Sequence, residues 1–189
     1  MSDSVKQQVL ISGVGGQGIL FVTRLLAEAA IYKGLPVLTS ETHGMAQRGG
    51  TVVSHLKIGG YSSPLIRPSG ADVLFILRVE NLTNHLFYLK PGGIAVANAS
   101  SQPESSDGIT LLTMDADAAA KEIHQPRSSN LVLAGFALSA MHLKGLGTFC
   151  SPDDIRAVLH QKLAGRDKLL KSSLSAFNLG VMRGEKVNI

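Results

Sequence analysis

Apolar residues follow two rhythms along this chain: short continuous or alternating runs trade places with longer stretches in which apolar positions return every three or four residues. Residues 8–12 form an apolar run ending on Gly13, which predicts a buried first strand. From Gln17 to about Lys33, Leu20, Phe21, Leu25, Ala29 and Tyr32 recur at helical spacing, and Gly34 is placed to stop that helix. Residues 36–39 predict a second strand. Residues 51–58 alternate, with Val52, Leu56 and Ile58 on one face and His55 and Lys57 on the other, which predicts a strand with one partly wet side. The continuous run 71–77 predicts a central strand covered on both faces. Residues 79–89 suit a helix stopped by Pro91-Gly92-Gly93, and 94–98 the next strand.

The polar segment 100–108 predicts a surface loop and 109–114 another strand, after which Asp115 caps a helix through Ile123. Beyond Pro126, residues 130–143 are so uniformly apolar, with Ala and Gly among them, that they predict a helix buried against the sheet or a partner. Ser151-Pro152-Asp153-Asp154 reads as a cap, a first-turn proline and an acidic first turn, opening a helix to about Ala164; a last helix spans about 167–182. No repeat or linker divides the sequence, so a single domain over residues 1–189 is expected. Strands alternating with helices imply an α/β fold of three layers: a mostly parallel sheet with helices on both faces, wound in the Rossmann-like manner. Ligands and partners of such sheets sit at the carboxyl ends of the strands, where both Gly-rich segments of this chain should lie.

Composition narrows the function. With 189 residues, 44% of them hydrophobic, the chain can bury a sizeable core. Its first residues, MSDSVKQQ, lack a secretory pattern and no window approaches a membrane span, so the expected compartment is the cytoplasm, with no membrane association. One cysteine, Cys150, permits neither an internal disulfide nor an iron–sulfur cluster held by this chain alone. The six histidines show no metal-binding spacing, so no metal site is expected. The net charge of +4 is scattered, densest at Arg156, Lys162, Arg166, Lys168 and Lys171 without interleaved aromatics, which favours a solvated face over nucleic acid.

Two segments carry chemistry. Gly13-Val14-Gly15-Gly16-Gln17-Gly18 follows a strand and opens a helix, the context a G-x-G-x-x-G turn needs; it suits close approach of an anion to the helix N-terminus, or a tight turn with nothing bound. Glu41 lies almost where a dinucleotide fold keeps its ribose ligand. It opens Glu41-Thr42-His43-Gly44-Met45-Ala46-Gln47-Arg48-Gly49-Gly50, a loop where such a fold would pass into its second helix. There Arg48, followed by Gly49 and Gly50, is either presented to a carboxylate or phosphate or stands as an ordinary solvated arginine. His43 and Gln47 can hydrogen-bond and Met45 offers an adaptable apolar contact, a mixture suited to an interface or an active-site rim. No nucleophile or general base is recoverable from spacing, so the catalytic residues stay unassigned.

GVGGQGI at 13–19, ETHGMAQRGG at 41–50 and NLVLAG at 130–135 resemble the gamma-type subunit or domain of 2-oxoacid:ferredoxin oxidoreductases over the whole chain. Pyruvate and 2-oxoglutarate members more often carry a Gly-Pro-Glu-type sequence before Arg-Gly-Gly, whereas the middle motif here resembles the beta subunit of indolepyruvate:ferredoxin oxidoreductase. The resemblance implies a subunit without its own redox centre. Its partner would be a large alpha subunit carrying thiamine diphosphate and [4Fe-4S] clusters, and the complex would oxidatively decarboxylate arylpyruvates to aryl-acetyl-CoA, with coenzyme A and ferredoxin as co-reactants. This chain lacks the Gly-Asp-Gly thiamine-diphosphate signature, so no cofactor is expected on it alone and it should be inactive alone. The alternatives are a gamma subunit for pyruvate or 2-oxoglutarate, a free-standing NAD(P)-binding oxidoreductase using Gly13, Gly15, Gly18 and Glu41, and a scaffold on the same fold.

Overall fold

The computed structural model describes residues 5–43, 50–102 and 108–187. Among them lie strands β1 Gln7–Val14, β2 Val37–His43, β3 Thr51–Ile58, β4 Ala71–Ile76, β5 Leu89–Asn98 and β6 Thr110–Met114. The helices are α1 Ile19–Tyr32, α2 Asn81–His85, α3 Ala116–Glu122, α4 Ser129–Leu143, α5 Pro152–Lys162 and α6 Asp167–Gly184. The strands form one sheet in the order β2-β3-β1-β4-β5-β6. β1, β4, β5 and β6 run parallel, as expected, but β3 is antiparallel to both neighbours. The cause is the connection at 44–50: a parallel crossover takes about a dozen residues or more, and so short a link can only return the chain antiparallel.

Helices cover both faces, unequally. Val9, Ile11, Leu56, Ile58, Val73, Phe75, Ile94 and Val96 meet the long helices in the main core, which contains the buried faces of α1, α3, α4, α5 and α6. Leu10, Leu74, Ile76, Ala95 and Ala97 point the other way, onto Leu82 of the five-residue α2, Leu86 of the 3-10 turn after it, and Ile66. The helix expected over 79–89 is present as α2 and the 3-10 turn Leu86–Tyr88, but Leu89 pairs with Ala71 and Ile94 with Val73, so residues 90–93 bulge out of β5 and Pro91-Gly92-Gly93 lie within that strand's span. Cross-strand pairing has overridden helical spacing there.

The face of β3 expected to be wet is also covered. His55 and Lys57 are buried beneath the segment between β3 and β4, where the Ile66 N–H donates to His55 Nδ1 at 3.2 Å and Lys57 Nζ donates to the Leu65 carbonyl at 2.9 Å. Burial, then the charge of Lys57 and the neighbouring His85, push the His55 pKa down.

The expectation for 130–143 holds closely: α4 is buried on nearly every side. α6 lies against it through glycines. A Cβ at Gly180 would overlap the Val132 carbonyl, one at Gly135 the Phe177 carbonyl, and one at Gly184 would stand 2.6 Å from the Phe136 carbonyl. Ser151 caps α5 through a reciprocal capping box with Asp154, as the cap–proline–acid pattern predicted. No helix among the described residues is long and apolar enough to cross a membrane.

Candidate functional site

The carboxyl ends of β1, β4 and β5 share one edge with the start of β3, and the glycine-rich turn rises from it. Gly13 is the penultimate residue of β1, buried and paired with Val52, so it belongs to the strand rather than the turn. The turn proper closes with the Gln17 N–H donating to the Val14 carbonyl at 3.2 Å. Gly16 and Gly18 have φ of 92° and 79°, the left-handed region that glycine enters without steric cost. Gly15 and Gly16 are exposed, and an added Cβ on either would have nothing within 4 Å. Close packing at Gly16 is therefore not the reason for glycine there; its positive φ is. Gly18, the N-cap of α1, differs: a Cβ would overlap the Asn130 carboxamide.

Gln17 does not point outward. Its Oε1 accepts the Val14 N–H at 2.8 Å and its Nε2 donates to the Leu77 carbonyl at 3.1 Å, so it ties the turn to the end of β4. Sequence reasoning missed two residues of the same kind. Asn81 Nδ2 donates to Ser12 Oγ at 3.1 Å and to the Gly13 carbonyl at 3.3 Å. Asn98 Oδ1 accepts the Ala116 N–H at 2.8 Å, while its Nδ2 donates to Asp117 Oδ2 at 2.9 Å and to the Leu77 carbonyl at 3.4 Å. The available signal was a carboxamide ending the apolar run of β5. A cleft of about 330 Å³ opens beside this frame, bordered by Gln17, Arg78, Asn98, Asp117 and Lys121.

The two motifs do meet. The Gly15 N–H donates to the Gly50 carbonyl at 3.3 Å, and Val52 pairs with Gly13 on one side and His43 on the other. Glu41 and His43 were expected in a loop but lie within β2, because β2 continues to pair with β3 as far as His43 with Val52. Gly44, Met45, Gln47, Arg48 and Gly49 lie outside the described residues. The dinucleotide arrangement needs the acidic residue on the strand beside β1. Here β3 is inserted between β1 and β2, which puts Glu41 two strand spacings away, about 9–10 Å.

The described residues offer little to a metal or cluster. Among the described residues no group of three or more His, Cys, Asp or Glu side chains is placed to hold a metal ion. Cys150 is buried at the opposite edge, next to Phe149, whose N–H donates to Gln7 at the start of β1. Burial, then the charge of Asp154, push its thiol pKa strongly up, so it is not a poised thiolate. These residues do not fit an iron–sulfur centre.

Fold and edge together define an α/β protein with a mostly parallel sheet whose carboxyl edge carries the glycine-rich turn and the start of β3. Residues 8–182 match the family described as pyruvate ferredoxin/flavodoxin oxidoreductase, and the chain belongs to that family. It is 30% identical over 201 residues to the indolepyruvate oxidoreductase subunit IorB of Thermococcus kodakarensis, covering 95% of this chain and 96% of that one. The same-named subunit of Archaeoglobus fulgidus is 40% identical over 94 residues, a match spanning 50% of this chain and about half, 47%, of the relative. Among solved structures, the 2-oxoglutarate:ferredoxin oxidoreductase of Magnetococcus marinus, bound to 2-oxoglutarate, coenzyme A and succinyl-CoA, superposes with a TM-score of 0.78 at 23% identity. That match covers 97% of this chain and 32% of the other.

Proposed function

We propose that this chain is one gamma-type domain serving as the IorB-like subunit of a cytoplasmic 2-oxoacid:ferredoxin oxidoreductase that acts on indolepyruvate and other arylpyruvates. It presents its carboxyl edge to a large subunit and has no turnover alone. The observation that carries this reading is the hydrogen bond joining Gly15 to Gly50, which brings two of the three motifs that resemble the family onto one edge. Thiamine diphosphate and [4Fe-4S] clusters, supplied by the large subunit, would perform decarboxylation and pass electrons to ferredoxin, with coenzyme A taking the acyl group. This chain's own part is to bind the partner and to orient and shield that centre with the glycine turn and the 41–50 segment. A second reading keeps the gamma-type role and takes 2-oxoglutarate or pyruvate as the substrate.

Reconstitution tests this. The chain mixed with its large subunit should oxidise indolepyruvate faster than 2-oxoglutarate or pyruvate and reduce ferredoxin, whereas the chain alone should do neither. Arg48→Ala should leave the melting temperature of the chain nearly unchanged yet weaken complex formation or turnover by roughly 2 to 5 kcal/mol, the scale of a desolvated interfacial charge that loses its partner. Arg48→Lys should restore only part, because the planar fork is lost. His43→Ala should act in the same direction but more mildly. Wild-type dissociation constant and turnover in Arg48→Ala would make the segment a solvated connection.

A further inference from the structure

The glycine turn is framed by neutral carboxamides. In the parallel part of the sheet the last paired residues are Ser12 with Ile76 and Ile76 with Ala97; the Leu77 N–H still donates to the Ser12 carbonyl at 2.8 Å, and no further pairs join β1, β4 and β5. The next carbonyl, that of Leu77, accepts from two side chains in place of a ladder, Gln17 Nε2 from the turn and Asn98 Nδ2 from β5. A carboxamide carries donor and acceptor on one rigid plane, so each of these residues bridges two elements at once. Gln17 joins Val14 to β4, and Asn98 joins β4 to the first turn of α3. Asn98 is largely buried at the border of the cleft, where its donors go to Leu77 and Asp117.

We propose that Asn98 and Gln17 are positioning residues: through the carbonyl of Leu77 they set the height and tilt of the turn at 14–18 relative to the cleft beside α3, and so shape the surface offered to the large subunit. This rests on the reading above that the carboxyl edge faces that subunit. The arrangement argues for positioning because both amides donate to one carbonyl where the pairing of β1, β4 and β5 ends. Leu77 is itself buried in the main core, so its carbonyl is a fixed point from which the two bonds set where the turn stands.

Asn98→Asp tests this with almost no change in shape. It keeps the acceptor for Ala116 but loses the donor to Leu77 and sets a second carboxylate beside Asp117. Two carboxylates that close share a proton more readily as pH falls. Once protonated, the introduced carboxyl regains a donor, so the defect should be reversible by pH. Two readouts are needed: hydrogen exchange at the Val14 amide in the full chain alone, and turnover of the reconstituted complex between about pH 8 and pH 6, each relative to wild type. Near pH 8 the variant should exchange Val14 faster and turn over more slowly, each by roughly tenfold, and both should return toward wild type near pH 6. Gln17→Glu, which also removes a donor to Leu77, should give a similar loss, and the double variant should lose no more than the worse single one, because both act on one carbonyl.

Unchanged Val14 exchange in Asn98→Asp would overturn the linkage whatever the complex does. Faster exchange with wild-type turnover and association would show that the turn's placement does not matter and would overturn the positioning role. A pH-independent loss that tracks a lower melting temperature would make Asn98 merely structural, again overturning the proposal. A wild-type complex inactive on every 2-oxoacid sinks the proposed function instead, and that arm is read separately from the exchange arm.

Discussion

Glycine does two opposite things in this protein. At the carboxyl edge, Gly15 and Gly16 face open space, and what Gly16 contributes is a backbone angle of φ 92°. In the α4–α6 crossing, Gly135, Gly180 and Gly184 are helical and conformationally ordinary; they are glycine because the carbonyls of the facing helix occupy the place of a Cβ. One set shapes a surface, and the other lets two backbones touch. Gly18 stands between, since it has a positive φ of 79° and also lies against Asn130. The identity of the residue is the same; only its surroundings tell which property is in use.

Substitutions should separate the two uses, and the largest effect belongs to the crossing. Gly180→Val should destabilise the chain by more than about 3 kcal/mol, beyond the usual range for overpacking, because the obstacle is backbone and the whole of α6 must move. Urea unfolding reads it, and a loss below about 1 kcal/mol would mean the helices separate easily. Gly18→Ala should cost about 2 kcal/mol from the left-handed angle together with displacement of the Asn130 side chain. Gly16→Ala should cost only about 1 kcal/mol in the chain alone, the left-handed penalty without any clash, while its outward methyl hinders assembly with the large subunit. Equal losses of stability at Gly16 and Gly180 would erase the distinction.

The smallest expected effect comes from a region outside both sets. Burial holds the His55 pKa below that of an unfolded histidine, so protonation favours the unfolded chain. Stability contributed by neutral His55 is complete above the unfolded value of about 6.5, is lost as pH falls below it, and stops changing below the folded value. His55→Gln should flatten that limb of a melting-temperature profile, and an unchanged slope would mean another group is responsible. Gly180→Val and Gly16→Ala should show the same limb as wild type.

Local signals located much of this protein. The run into Gly13, the 3.6-residue spacing of α1, the capping box of α5 and the all-round apolar character of α4 each follow from interactions within a few residues, and each was legible from the chain. So was the sharing of one edge by the two glycine-rich segments, because both follow strands. Tertiary structure decided the rest. β3 enters between β1 and β2 antiparallel, which carries Glu41 away from the turn and keeps Glu41 and His43 in a strand; that depends on pairing between distant residues, to which periodicity is blind. The burial of His55 and Lys57 came from a segment folding over them, and the inward bend of Gln17 from a carbonyl sixty residues away. A sequence states which groups can donate and accept. Only the fold brings Leu77 between Gln17 and Asn98, because that meeting requires three strands to end at the same edge.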